Sequence, residues 1–365
     1  MNTFNPRTLL RDHIQDMPPY QPIHPFDVLS ERLGIPEDEL IKLDANENPY
    51  GPLPQAKEAL NDFSSLHIYP DPESRYLRQD LSRVHNIPAE RILAGAGADE
   101  LIDLILRVTL DPDDLILDCP PTFSMYAFDA DVNAARTLKV PRKKDFSLDL
   151  PAIEDAVQVY HPKLLFLASP NNPDGGLLSR AALERLLELP LLVVVDEAYI
   201  AFAPEGTSAI PLTESYKNLI VLRTFSKWGG LAGLRVGYGI FPAWITPALW
   251  KIKQPYNVNA AGAAAARATL RHRDQLKEQT QAIIAERERL DKNLREVPWL
   301  APYPSRANFI LCRVKGRDAG QVKERLSQQG ILIRYFNKPG LDDHIRISVG
   351  KPSDTETLIQ ALRKL

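Results

Sequence analysis

One lysine stands in unusual company. Lys227 ends the segment TFSK, directly after the β-forming run NLIVLR, and a glycine-studded apolar stretch separates it from Arg235. An amine in a low-dielectric setting loses its proton more easily and becomes a nucleophile toward carbonyl carbons. Arg235 offers a planar fork suited to phosphate, and Thr224 and Ser226 add hydroxyls. A single loop lysine is otherwise most often simply solvated. Asp196 closes the apolar run VVVD, where an unpaired carboxylate is costly. It calls for a cation, several donors, or a helix to cap. GAGADE, from Gly95 to Glu100, opens a helical pattern. Its glycines allow close backbone approach, and free N–H groups at a helix N-terminus attract anions. The same letters also suit a plain strand-to-helix turn with Asp99 near the cap. SPNNPDGG, from Ser169 to Gly176, has ordinary turn chemistry but also sets two asparagine amides at a strand end.

Taken together, the four clusters ask for one ligand. It carries a phosphate for GAGADE, Thr224, Ser226 and Arg235, and a protonatable ring nitrogen opposite Asp196. It also carries a ring oxygen for Asn172 and Tyr199, and an aldehyde carbon within reach of Lys227. Pyridoxal 5′-phosphate has these parts, and enzymes that use it pair its ring nitrogen with an acid and its aldehyde with a lysine.

The elements that must position these residues are legible. DLILDCP, KLLFLASP, LLVVVDEAY and LIVLRTFS read as short, nearly all-apolar strands, with ADELIDLILRVTL and ALERLLEL as helices between them. That alternation predicts an α/β fold with a mostly parallel sheet covered on both faces. Ligands of such sheets lie at the carboxyl ends of the strands, where SPNN, DEAY and TFSK stand. Beyond about Ala260 a long helical stretch, one helix or two with a bend, leads into NFILCRV, GILIRYF and HIRISVG, a second α/β pattern. The expected division is a segment 1–52 packing on a smaller domain 269–365, with a large cofactor-binding domain 53–268 between them. The 365 residues suffice for both cores, and hydrophobic (44%) and charged (25%) content is ordinary for a globular protein. A net charge of −3 argues against a nucleic-acid partner. No apolar run is long enough to span a bilayer, and the N-terminus lacks the apolar core of a signal peptide. Cys119 and Cys312 read as core thiols in a reducing cytoplasm, and the histidines show no metal-ligand spacing, so no metal is expected.

The segments LDANENPYGP, YPDPES, LAGAGADELIDLI, PPTFSMY, SPNNPDGG, VVVDEAY, RTFSKWGGLAGLRVGY, ANFILCR and HIRISVG cover nearly the whole chain. In these segments and their order the chain resembles the class II, fold-type I pyridoxal-phosphate-dependent aminotransferases, and among them the histidinol-phosphate aminotransferase family. The resemblance implies a large domain with a mostly parallel seven-stranded sheet and a smaller α/β domain. It implies Lys227 as the lysine that bonds the cofactor aldehyde, Asp196 on the pyridine nitrogen, and Asn172 and Tyr199 on the ring oxygen, with Lys227, Asp196 and Tyr199 catalytic. Ala98, Asp99, Thr224, Ser226 and Arg235 would hold the phosphate, and Phe123 would stack over the ring. Tyr69 matches a tyrosine that reaches the cofactor phosphate of a neighbouring subunit, which implies a homodimer with shared sites. Arg346 matches the arginine that takes the α-carboxylate of glutamate, and Arg334 supplies a second fork for a substrate phosphate. Tyr20 and Asn46 would complete the substrate site. The implied substrates are histidinol phosphate and glutamate or 2-oxoglutarate. Aromatic amino acid transamination and threonine-phosphate decarboxylation are the neighbouring readings. A regulator with an added DNA-binding domain is set aside, because few residues precede LDANEN. Two positions depart from the family pattern: Asp174 stands where threonine is usual, and Trp228 where smaller residues are usual.

Overall fold

The computed structural model describes residues 4–19 and 24–365, so Tyr20 lies outside the described residues. A seven-stranded sheet is built from β2 (Ile92–Gly95), β3 (Leu115–Asp118), β4 (Arg136–Lys139), β5 (Leu164–Ala168), β6 (Leu192–Asp196), β7 (Leu219–Thr224) and β8 (Gly237–Ile240), taking β1 (Ile41–Leu43) as the chain's first strand. The order is β2-β8-β7-β6-β5-β3-β4, with β8 antiparallel to both its neighbours and the other pairs parallel. The strands LLFLA and LVVVD are buried throughout because helices cover both faces. Alternate residues feed two cores: Leu165, Leu167, Val193 and Val195 on one face, Leu164, Phe166, Leu192 and Val194 on the other.

A second sheet holds β1 with β9 (Leu300–Pro302), β10 (Phe309–Val314), β11 (Ile331–Tyr335) and β12 (His344–Ser348), in the order β1-β11-β12-β10-β9. β1 runs parallel to β11, so the chain's early residues contribute a strand to this sheet. The long helical stretch is two helices, Ala260–Arg271 and Arg273–Arg295, meeting at His272. Ala265, Ala266 and Leu270 of the first pack into the core of the large sheet, and Ile283, Leu290 and Leu294 of the second into the core of the other. Among the described residues no helix is long and apolar enough to cross a membrane, and no group of three or more His, Cys, Asp or Glu side chains is placed to hold a metal. Cys119 and Cys312 are buried thiols.

Candidate active site

The carboxyl ends of β6 and β7 are neighbours, with Asp196 opposite Leu222, and they bring the acid and the lysine to one end of the sheet. Asp196 is buried, and each of its oxygens already accepts one bond: Oδ2 from the Tyr126 hydroxyl at 2.8 Å, Oδ1 from the Ala198 N–H at 3.0 Å. Burial nevertheless pushes its pKa up to about 6. A protonated ring nitrogen beside it would supply the cation that a buried carboxylate lacks. The Lys227 amine donates to the Ala45 carbonyl at 3.0 Å and lies 6.0 Å from the centre of the Tyr199 ring. Burial first, and the Arg346 guanidinium second, pull its pKa down to about 8, with Glu47 opposing.

The phosphate-seeking residues converge beside them. Ser226 Oγ accepts from the Thr224 hydroxyl at 2.9 Å and from Arg235 Nη1 at 3.3 Å. Arg235 Nη2 donates to Asp99 Oδ2 at 2.7 Å, at the first turn of the helix Ala98–Thr109. Gly97, at φ 83°, precedes that turn, and a Cβ on it would lie 2.5 Å from Arg235 Nη2. Only a glycine lets the guanidinium approach the helix N-terminus this closely. The N–H groups of that first turn, two hydroxyls and a guanidinium form a cradle with the donor set of a phosphate site.

The second sheet contributes two arginines. Arg346 is buried; its Nη1 donates to Asn172 Oδ1 at 2.5 Å and its Nη2 to the Asp44 carbonyl at 2.7 Å. Arg334 lies directly opposite Arg346 across β11 and β12. Their guanidiniums stand 5.9 and 5.7 Å from the ring of Phe336. Like charges directly opposite on paired strands are destabilising, so this arrangement favours an anion between or beside them. Tyr199 is buried, and its hydroxyl accepts from Asn46 Nδ2 at 3.0 Å. Burial raises the Tyr199 pKa, and the nearby Arg346 guanidinium works against that rise.

Asn46 is engaged by the protein itself. At φ 56° and buried, it spends its amide nitrogen on Tyr199 and its amide oxygen on the Ser348 hydroxyl at 2.9 Å. Phe123 packs edge-on against Tyr126, ring centres 5.5 Å apart. Tyr69 stands apart on the surface, 80% exposed and stacked on Tyr256 at 4.7 Å. Two contributors, Tyr126 and Ala45, escaped the sequence reading. Tyr126 binds Asp196; its signal was the placement one helical turn after Phe123 in PPTFSMY. Ala45 acts through its carbonyl, which leaves no trace in residue type. Asn171, fully buried, accepts from the Thr122 hydroxyl at 2.7 Å and donates to the Pro121 carbonyl and to Asp174. Asp174 in turn accepts from the Gly176 N–H at 2.7 Å, so the carboxylate braces the turn. Trp228 packs against both the large-sheet core and the second-sheet core, and its carbonyl accepts from Asn48 Nδ2 at 3.0 Å. Its bulk fills the seam between the two sheets.

The chain as a whole is similar to proteins already known. The model of the aminotransferase class I and II family matches residues 38–362. The chain is 53% identical over 355 residues to a histidinol-phosphate aminotransferase, chloroplastic, of Nicotiana tabacum, spanning 97% of this chain and 86% of that one. It is 51% identical over 365 residues to a histidinol-phosphate aminotransferase of Roseiflexus castenholzii, spanning 98% of each. The crystal structure of histidinol-phosphate aminotransferase from Sinorhizobium meliloti in complex with pyridoxal-5′-phosphate superposes with a TM-score of 0.89 at 30% identity, over 100% of this chain and 98% of that one.

Proposed function

Because this chain belongs to the aminotransferase class I and II family, we propose that it transfers an amino group between histidinol phosphate and 2-oxoglutarate, with pyridoxal 5′-phosphate as cofactor. The observation that carries the substrate choice is the pair Arg334 and Arg346, opposite each other on β11 and β12. A monoanionic carboxylate needs one such fork, whereas a phosphate dianion is served by two. Arg346 alone would then take the α-carboxylate of glutamate in the other half of the reaction.

The bound cofactor supplies an aldehyde carbon and a protonated pyridine ring that draws electrons from the substrate. The chain's own groups do the rest. Lys227 would provide the amine for the aldehyde and, as a base with its pKa lowered to about 8, would move the proton at the substrate Cα. Asp196, held by Tyr126 and the Ala198 N–H, would keep the proton on the ring nitrogen. Asn172 and Tyr199 would bind the ring oxygen, Phe123 would stack over the ring, and Ala98, Asp99, Thr224, Ser226 and Arg235 would hold the phosphate. Asn46 would border the substrate by bracing Tyr199, and Tyr20 is the residue expected to contact the substrate phosphate. Fixed donors in a site that excludes water act more strongly than they would in solution.

Two copies make the working unit in this reading, with Tyr69 of each reaching the other's cofactor phosphate. Its exposure, with Leu66 at 79% and Ile68 at 57% beside it, supports a surface that a second copy covers. The chain divides into a segment 1–52 that joins the smaller domain 269–365 and a cofactor-binding domain 53–268, the seam at His272 supporting that division. The cytoplasm is the proposed compartment, on the two reduced, buried cysteines. The test is a comparison of kcat/KM for histidinol phosphate, phenylalanine and tyrosine with 2-oxoglutarate as acceptor. Histidinol phosphate should win; a clear preference for phenylalanine would replace the substrate, and release of carbon dioxide from threonine phosphate would replace the reaction.

A further inference from the structure

The loop that carries Tyr69 and the loop that cradles the phosphate meet a common third segment, Trp250 to Asn257. Lys253 is buried and uses all three of its protons: on the Pro72 carbonyl at 3.0 Å, the Gln254 carbonyl at 2.8 Å and Asn257 Oδ1 at 2.8 Å. Its ammonium also lies 5.2 Å from the Trp250 ring. Asn257 Nδ2 donates to Glu100 Oε2 at 2.7 Å and to the Ala94 carbonyl at 3.1 Å. The same Glu100 oxygen accepts from the Ala96 N–H at 2.6 Å. Ala94 and Ala96 flank Gly95, on the strand that leads into the cradle. Pro72 follows Tyr69 by three residues, and Tyr256 stacks on the Tyr69 ring. Each charge is matched. Burial pulls the Lys253 pKa down, and the Glu100 carboxylate opposes that pull.

We infer that Glu100, Asn257 and Lys253 are positioning residues that hold the phosphate cradle and the Tyr69 arm in one register, so that each subunit shapes its own cofactor site and its neighbour's through a single hydrogen-bonded chain. The inference rests on the reading that Tyr69 serves the cofactor of a second copy. None of the three side chains needs to touch the cofactor. Their effect is to fix the backbone at Ala96 and at Pro72, and small displacements there misalign phosphate donors.

The rate of cofactor loss from the holoenzyme, followed by its absorbance on dilution with a scavenger, tests this. Asn257→Asp keeps the acceptor for Lys253 but sets a carboxylate against Glu100. It should speed loss by roughly tenfold, the scale of one hydrogen bond to a charged group. Adding Glu100→Gln should restore much of the loss, because the glutamine amide can donate to the new aspartate. A general packing defect would not be rescued in this way, and absence of rescue overturns the local chain. The cross-subunit part needs hybrid dimers. One subunit carries Lys227→Ala with Lys253→Met, and its partner is wild type, so the intact site receives its Tyr69 from the altered subunit. Cofactor loss from the intact site should accelerate several-fold. A parallel hybrid carries Tyr69→Phe in place of Lys253→Met. If Tyr69→Phe accelerates loss and Lys253→Met does not, the relay is wrong. If neither does, the dimer reading fails and the cross-subunit proposal falls with it. Should Lys253→Met not yield folded dimers, Asn257→Asp takes its place in the hybrid, with the same outcomes.

Discussion

The Lys227 amine must be neutral to attack an aldehyde, so the pH dependence of cofactor capture reads its environment. With its pKa at about 8, roughly a tenth of the amine is neutral at pH 7. At the ordinary value of 10.5 the neutral fraction would be some 300-fold smaller, by about 2.5 units at tenfold each. Stopped-flow mixing of the cofactor-free enzyme with pyridoxal phosphate between pH 6 and 10 should therefore give a rate that climbs about tenfold per unit and levels near pH 8. After burial, the largest cause is the Arg346 guanidinium, and Glu47 acts in the opposite direction. Arg346→Gln removes a cation, favours the ammonium and moves the break to higher pH. Glu47→Gln removes an anion and moves it lower. At pH 7 a rise of one unit slows capture about ninefold, and a fall of one unit speeds it about fivefold. A wild-type break near 10.5, or two variants shifting in the same direction, would refute this account of the lysine. The linked stability has a definite sign. The folded pKa is the lower one, so between about pH 8 and 10.5 the unfolded chain binds more protons and stability rises with pH. The upper bound on that gain is about 3 kcal/mol, reduced by whatever water reaches the partly buried amine.

Tyr126→Phe removes one of the two bonds that hold the Asp196 pKa down against burial. Its pKa should rise above about 6, and the acid limb of the kcat–pH profile should move up with it, with kcat at pH 7 falling about fivefold; an unmoved limb would show that Tyr126 only packs. Arg334→Gln should raise KM for histidinol phosphate by about tenfold or more while sparing glutamate. Equal losses on both substrates would show that Arg334 does not read the phosphate.

How much could be read from sequence follows from how local each cause is. β5, β6 and β7 were legible because strands buried on both faces are nearly all apolar, and their polar ends stood out against them. β4, RTLK, gave no such signal, since an edge strand of four residues keeps its side chains partly in water. Lys227, Asp196, Thr224, Ser226 and Arg235 were found by type, because each carries a charge or hydroxyl that a strand end does not otherwise need. Tyr126 was missed because its target lies on β6, across a contact with Phe166 at 5.0 Å that only the assembled sheet creates. Asn46 was placed at the substrate through the resemblance of LDANEN; what residue type does not show is that the fold turns it left-handed and engages its amide with Tyr199 and Ser348. Trp228 read as a change either to the pocket wall or to the contact between domains, and it packs between the two cores. Its meaning depends on a seam between sheets whose strands lie far apart in sequence.

That seam also explains why the lysine can tolerate its setting. The connection after β7 lies against residues 45–51: Lys227 reaches the Ala45 carbonyl, the Trp228 carbonyl takes Asn48, and a Cβ on Gly230 would lie 2.4 Å from the Gly51 carbonyl carbon. The partner offered to the amine is thus a neutral carbonyl. A carboxylate at that distance would favour the ammonium and push the pKa up. A carbonyl satisfies one proton, adds no net charge, and contributes only about 1 kcal/mol. The guanidiniums of Arg346 and Arg235 add positive potential from two sides, and both lower the amine's pKa. The residues around Lys227 therefore hold it in place without holding its proton, and the apolar, glycine-rich surroundings make that combination possible. Replacing Ala45 would not change this, since its carbonyl belongs to the backbone. Moving the 45–51 strap would, and β1 ties that strap to the sheet that carries Arg334 and Arg346.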